Sequence, residues 1–431
     1  MSYIEDYLHY NRNHGSPKLY HLWCGIYTIS CALGRRVWEG QASFTPIFSN
    51  VYIILVGPQG ALHKTTCITT AQQLVQRAGV TLVMADAGSK IGWLQGLQGR
   101  TMPNHNTIDL EKYMESSSYR DTVIRGAEGA FFSDDLCDLL GGKHADDERV
   151  MYLQAWWDSR AEWKPWVYRT VVRGEDVLYK PNVCLISATT DNYMHQTFPE
   201  GCTTQGFGSR VLWVIQEAKD AVIGKPFWDE METEALIKKL RWIQTNIHGE
   251  AVFDMHAERY FDDFEKTHEE RLLLESSNPT IGFLNRKGTY LKKLAMIRAA
   301  AETTTPGPLK IKAEHLEWGL ECFTALEPQL NKVFATQMTD YPTRCAFHIR
   351  NELKSRPLEY MNKLNQVCVV RGMVATEAQE KFIPIYGAKY YNMAIRILQD
   401  QEWVFKSIEK YKIPGYKRPR RILFIPQEEE D

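Results

Sequence analysis

Lys64 and Thr65 carry the chemistry most easily named in this sequence. They follow VYIILV (51–56) and GPQGALH (57–63), a run of β-formers broken at a Gly-Pro turn. In such a strand–turn–helix unit, backbone N–H groups around Gly57 and Gly60 cradle phosphate oxygens. A lysine at position 64 neutralises the outer phosphates, and the Thr65 hydroxyl, followed by Thr66, ligands Mg2+. The usual pattern places glycine directly before the lysine. Here His63 takes that place and the loop is one residue longer, so an ordinary β-turn-α connection is the plain alternative.

A phosphate loop needs an acidic partner at the end of a nearby strand to hold magnesium and the attacking water. GAFFSDDL (129–136) supplies Asp134 for the magnesium shell and Asp135 to polarise water; an Asp-Asp cap on the following helix is the competing reading. The next apolar run, NVCLISATTDNY, ends in Thr189, Thr190, Asp191 and Asn192. Thr190 is the candidate that senses the γ-phosphate, against a simple turn-capping role. Gly206 and Gly208 then loosen the chain before Arg210, which leads into a strand and suits contact with a phosphate, with Arg169 and Arg173 as competitors. Arg286, just before an amphipathic helix with Leu291, Leu294, Ala295 and Ile297 on its buried face, is a second candidate to close onto nucleotide; a solvated basic turn is the alternative.

The elements that must position these groups alternate as a parallel α/β core does. Candidate strands are 51–56, 80–85, 129–133, 182–188 and 210–215, each short and apolar as strands covered on both faces should be. Two helices, 3–12 and 17–35, precede them. Helical runs at 254–275, 283–301 and 313–335 follow, and strand signals nearly vanish between 225 and 337. The chain has 431 residues, a net charge of −2 and 44% hydrophobic content, which fits a globular protein of two or three domains. No run approaches the length of a membrane span, and no secretion signal opens the chain, so a cytoplasmic location is expected. The nine cysteines include no C-x-x-C pair, and His63, His195 and His315 lie in unrelated surroundings, which argues for reduced thiols over a zinc site.

Beyond Tyr341 and Pro342 the pattern gives three helices, TRCAFHIRNELKSRP, PLEYMNKLNQV and GAKYYNMAIRILQDQEWVFKS, the last flowing into a strand that RRILFIP answers. Three helices and a two-stranded wing describe a winged helix, which lays its third helix in a DNA groove. Between the strands, residues 406–421 carry Lys406, Lys410, Lys412, Lys417, Arg418, Arg420 and Arg421 against Glu409 alone. Lys412, Lys417, Arg418, Arg420 and Arg421 are the candidate phosphate-backbone contacts. A protein-binding winged helix is the alternative.

VYIILVGPQGALHKTT, GAFFSDDL, NVCLISATTDNY, GFGSRVLWV and FLNRKGTYLKKLAMI occur in the order found in the phage and plasmid primase/helicase-like P-loop ATPases. SPKLYHLWCGIYTISCALGRRVW resembles that family's lead-in, and many members carry a basic residue where His63 stands. The resemblance covers about residues 15–335. It implies an ATPase of replicative DNA helicase type that uses ATP and Mg2+ and acts on single-stranded or forked DNA. Assembly as a homo-oligomeric ring, a hexamer, is implied as well, in a phage-infected or plasmid-bearing bacterial cell. Two departures stand out: the short N-terminus leaves no room for a primase domain, and Asp135 replaces the more frequent Glu. The expected fold is α/β, a P-loop NTPase (AAA+/RecA-like) parallel-sheet core at 46–222. A helical lead-in (1–45) precedes it, and a helical lid (223–338) and winged-helix DNA-binding domain (339–431) follow. A non-translocating DNA-bound switch, such as a helicase loader or transposition-type regulator, and a DNA-binding protein with a degraded loop are the other classes.

Overall fold

A computed structural model of the chain describes residues 2–40, 46–84, 89–98, 126–141, 147–158, 166–170, 174–190, 206–221, 223, 227–274, 281–330, 341–362, 365–401, 404–407 and 409–425. Arg173, Asp191, Asn192 and His195 lie outside the described residues. The chain divides into two compact units, Met1–Val333 and Phe334–Asp431.

The first unit opens with α1 (Tyr3–Tyr10), begun by a capping box between Ser2 and Glu5, and α2 (Lys18–Leu33). Then come β1 (Tyr52–Val56), α3 (Lys64–Ala78), β2 (Val83–Met84), β3 (Glu128–Ser133), α4 (Leu136–Leu140), α5 (Asp147–Trp157), β4 (Asn182–Thr189) and β5 (Leu212–Ile215). These strands form one sheet in the order β2-β3-β4-β1-β5, and every pairing is parallel. Residues of β1, β3, β4 and β5 are buried throughout, which is why they read as unbroken apolar runs rather than alternating ones. The protein is therefore a mixed α/β chain built on a five-stranded parallel sheet, compatible with a P-loop or Rossmann-like core.

Helix α2 is buried nearly all round and runs antiparallel to β1. Tyr20 Oη donates to Val56 O (2.6 Å) at the carboxyl end of β1, and Ser30 Oγ donates to Ser49 O (2.7 Å) at its amino end. Between them Tyr27 Oη donates to Phe131 O (2.8 Å) on β3. These hydroxyls are tolerated in the buried interior because each finds a backbone acceptor.

Helices α6 (Glu230–Asn246), α7 (Met255–Leu274), α8 (Lys287–Glu302) and α9 (Ala313–Thr324) follow, and a further helix, Lys90–Gln98, stands between β2 and β3. Helix α6 packs on α2 and α3, and α8 on α9. The run expected as one helix over 283–301 is broken at Asn285 and Arg286, so α8 starts at Lys287 after a short turn of helix, Ile281–Leu284. Short strands at Gly249–Glu250, Val252–Phe253 and Lys310–Ile311 also appear where few strand signals were expected. An antiparallel hairpin, Trp166–Thr170 with Gly174–Leu178, joins α5 to β4. Its Trp166 and Tyr168 pack against Tyr152 of α5, aromatic contacts that sequence periodicity does not reveal.

In the second unit α10 (Tyr341–Ser355) is followed by β6 (Pro357–Met361), β7 (Val367–Val374), α11 (Ala375–Tyr386), α12 (Ala388–Asp400), β8 (Phe405–Lys406) and β9 (Ile422–Phe424). The sheet order is β6-β7-β9-β8, all antiparallel. The second helix expected at PLEYMNKLNQV is corrected here: 357–361 is a strand that pairs with β7. The β-branched run at 367–370 supplies the partner, and Leu358↔Val370 and Tyr360↔Cys368 share one half-buried face. The second helix is instead α11, immediately after β7. Among the described residues no helix is long and apolar enough to cross a membrane.

Candidate functional site

The loop 57–63 leaves the carboxyl end of β1, and α3 begins at Lys64. Gly57 is fixed by space: a Cβ there would stand 2.5 Å from Gln216 O and 2.7 Å from Tyr20 Oη. Its N–H donates to Thr189 O (3.3 Å), tying the loop to the end of β4. Gly60 sits at φ 71°, a left-handed conformation in open space. His63 is also left-handed (φ 51°) as the residue preceding α3. Its Nε2 lies 2.7 Å from Lys219 Nζ and its carbonyl accepts from Ser16 Oγ (3.3 Å). Sequence comparison with the usual loop makes a histidine here look out of place; the structure accommodates it at a backbone geometry usually left to glycine.

Lys64 is buried, and its Nζ donates to Gly57 O (2.6 Å) and Pro58 O (2.9 Å). The ammonium thus folds back over the loop it would serve, satisfied by carbonyls in place of phosphate oxygens. Thr65 is exposed in the first turn of α3 and Thr66 half-buried.

The parallel register brings three strand ends to the same rim. Val56 pairs with Thr189, and Ser133 pairs with Ser187. With strands spaced about 4.8 Å apart, the end of β3 stands roughly 10 Å from the loop across β4. Asp134 and Asp135 are exposed on that rim, and Thr190 is half-buried beside it. Asp135 caps α4, accepting from Cys137 N–H (2.8 Å), so the capping reading of this residue is met. Its carboxyl is held above the ordinary carboxylate range by desolvation, with Asp138 adding to the rise; the Cys137 N–H and the Lys64 ammonium pull the other way. The Lys64 effect places that ammonium within electrostatic reach of Asp135. Thr189 Oγ1 is buried and without a hydrogen-bond partner among the described residues.

Arg210 and Arg286 are not on this rim. Arg210 ends the short turn Gly208–Arg210 before β5, and the pairing of Ile53 with Leu212 sets it level with the start of β1. Six residues at about 3.3 Å per residue put it roughly 20 Å from the phosphate loop. There it pairs with Asp158 (Nη2 3.0 Å) and donates to Gly206 O (2.8 Å). Arg286 Cζ lies 5.8 Å from the Trp157 ring centroid, Arg210 Cζ 5.6 Å, and Lys293 Nζ 4.1 Å. Lys293 donates to Asn50 O and Oδ1 (both 2.7 Å), and Asn50 Nδ2 donates to Trp157 O (2.9 Å). Burial brings the Lys293 ammonium down to about 7. Burial lowers Arg286 too, with the neighbouring Arg210 charge adding to it, and Arg286 Nε is buried without a partner among the described residues. Arg286, the candidate to close onto nucleotide, therefore lies beside Trp157, away from the rim that carries the phosphate loop. Arg169, exposed on the hairpin, pairs with Glu175.

Sequence reading missed Asn50, Trp157, Asp158 and Lys293, which share no spacing with the two arginines and meet them only through the fold.

In the second unit Lys412, Lys417, Arg418, Arg420 and Arg421 are all exposed. They lie between β8 and β9, where Tyr411 and Arg420 exchange backbone hydrogen bonds (2.8 and 2.9 Å). Ile413 packs with Val374 and Ile422 beneath. Tyr416 donates to Glu377 on α11, a bond that raises its phenol to about 12. The basic side chains are thus carried on an anchored hairpin.

No protein-family model matches the chain, and no curated protein is significantly similar to it in sequence.

Proposed function

We infer that this chain is an ATP-dependent DNA helicase or translocase of phage or plasmid replication type, working as a homo-oligomeric ring, a hexamer. The observation that carries this reading is the meeting of the Lys64 loop, Asp134 and Thr190 on one rim of a parallel sheet. There, loop N–H groups would hold the phosphates of ATP, and Lys64 would exchange the Gly57 and Pro58 carbonyls for β- and γ-phosphate oxygens. Thr65 and Asp134 would hold Mg2+, and Asp135 would orient water. Arg210 and Arg286, on the far rim, would meet the nucleotide of the neighbouring subunit. The second unit is read as a winged helix whose α12 and basic hairpin grip DNA.

Unwinding of a forked duplex by the purified chain, with and without ATP, alongside its native mass, tests the proposal. ATP-dependent strand separation by a ring supports it. A DNA-stimulated ATPase that separates no strands would instead favour the second reading, a DNA-bound switch such as a helicase loader or transposition-type regulator. The Arg210–Asp158 pair favours that reading, because the arginine is already occupied within its own chain.

A further inference from the structure

Beneath the start of α3, three buried side chains converge from three segments. His14 comes from the turn after α1, His21 from the first turn of α2, and Cys67 from α3, three residues beyond Lys64. One ligand atom from each lies within 4.8 Å of the others. Cys67 Sγ stands 3.7 Å from His21 Nε2, and the two imidazoles meet edge to face with centroids 5.1 Å apart. His14 Nδ1 is bonded to Ser16 Oγ (3.1 Å), which orients the ring and leaves its Nε2 as the available donor. That Nε2, and His21 Nδ1, are buried without hydrogen-bond partners among the described residues. Left unsatisfied, the His14 Nε2 costs about 1–3 kcal/mol, so hydrogen bonding alone does not complete the cluster; His21 faces Cys67 through Nε2, and its Nδ1 is not part of the donor set.

We propose that His14, His21 and Cys67 bind a zinc ion that ties the phosphate-loop helix to the N-terminal lead-in. Two imidazole nitrogens and one thiolate form a donor set suited to zinc and unsuited to Mg2+ or Ca2+, which take oxygen. Tetrahedral zinc, with bonds of about 2.0 Å to nitrogen and 2.3 Å to sulfur, sets those donors roughly 3.5 Å apart. The Cys67–His21 separation of 3.7 Å already matches, and the three ligand atoms all lie within 4.8 Å of one another. On binding, the Cys67 S–H bond breaks as the S–Zn bond forms, and the proton passes to solvent. Each imidazole keeps its one ring proton and gives a lone pair. Ser16 Oγ, bonded to His14 Nδ1, is the polar neighbour of the set. Sequence spacing hides this set, since its members are scattered from 14 to 67 with no repeated interval.

The test uses the full chain, stripped with chelator and titrated with Zn2+ against a chromophoric chelator, then with Co2+. The expected result is one metal per chain, a thermal midpoint that rises with Zn2+, and the Co2+ spectrum of a tetrahedral thiolate site. His14→Asn weakens binding on the order of 100-fold, and Cys67→Ser removes the thiolate-to-cobalt band, whereas Cys322→Ser changes neither. Because Cys67 is wholly buried, His14→Asn, checked for a wild-type circular dichroism spectrum, gives the independent reading. Failure of the folded wild-type chain to compete with the chelator overturns the proposal. So does equal zinc affinity in the His14→Asn, His21→Asn and Cys67→Ser variants.

Discussion

Replacing Gly57 with alanine tests whether the loop is set by close packing. The added methyl would lie 2.5 Å from Gln216 O, 2.7 Å from Tyr20 Oη and 2.8 Å from Leu62 Cδ1. Ordinary carbon contacts begin well above 3.0 Å, so at least one neighbour must move by more than half an ångström. Leu62 is buried, so its methyl has no open space to swing into. Gln216 O is backbone, and Tyr20 is buried and bonded to Val56 O. Overpacking of this kind costs about 1–3 kcal/mol. In a unit of this size that lowers the melting midpoint by roughly 2–6 °C. If the Gly57 backbone gives way instead, it carries the carbonyl that Lys64 holds, so on the proposed function nucleotide binding weakens too, at about tenfold per 1.4 kcal/mol. Gly60→Ala is the contrast. Its methyl meets nothing within 4 Å, and only the left-handed backbone, at about 1 kcal/mol, opposes it. Both variants are read by thermal melts and by titration with a fluorescent ATP analogue. Gly57→Ala is expected to be the worse in both. If it melts within a degree of wild type and binds the analogue within twofold, the packing argument is wrong.

Four further outcomes are expected. Asp134→Asn should weaken magnesium-dependent ATP binding, whereas Asp135→Asn, which preserves the cap, should keep binding and slow turnover by about 10²–10⁴; unchanged turnover would leave Asp135 a cap alone. Arg210→Ala should bind ATP and hydrolyse it about 10³–10⁵ more slowly, and mixing it with Lys64→Ala protein should restore activity if the arginine serves a neighbour; a mixture as dead as its parts refutes that role. Neutralising Lys417, Arg418, Arg420 and Arg421 should make the log–log salt slope of DNA binding shallower by roughly 0.7–0.9 for each phosphate no longer neutralised, and an unchanged slope points to a protein partner. Lys293, held near 7 in the fold, binds its proton more weakly there than in the unfolded chain, so it destabilises at neutral pH and below. Its penalty fades as pH rises from about 7 towards 10.5, by roughly 5 kcal/mol at most. Lys293→Met should remove that rise, and denaturant midpoints with the same pH slope in both proteins would contradict it.

The five apolar runs and the Lys64 loop were legible because strands buried on both faces leave an unbroken hydrophobic signature and a tight turn leaves glycines. The hairpin at 357–374 was not, because Leu358, Tyr360 and Met361 fit a helix as well as a strand until the partner strand is in place. The cluster around Trp157 and the His14, His21 and Cys67 set were illegible for a different reason. Each gathers residues from distant segments through tertiary packing, and no local pattern marks either. Arg286 shows the limit within a single residue: its basic character and helix-start position were readable, but not which end of the sheet it would face.

Helix α2 gives the two rims a mechanical relation. Its first turn is bonded to the last residue of β1, where the phosphate loop departs, and its last turn to Ser49, next to the Asn50 that anchors Lys293 and Trp157. Ten residues of helix, about 15 Å, join those points as one continuous rod. A push on the loop that lifts Val56 must therefore either break the Tyr20 bond or tilt the whole rod, and tilting moves Ser49 as well. The two ends of the sheet are thus tied by a route through α2 that is separate from the strands themselves.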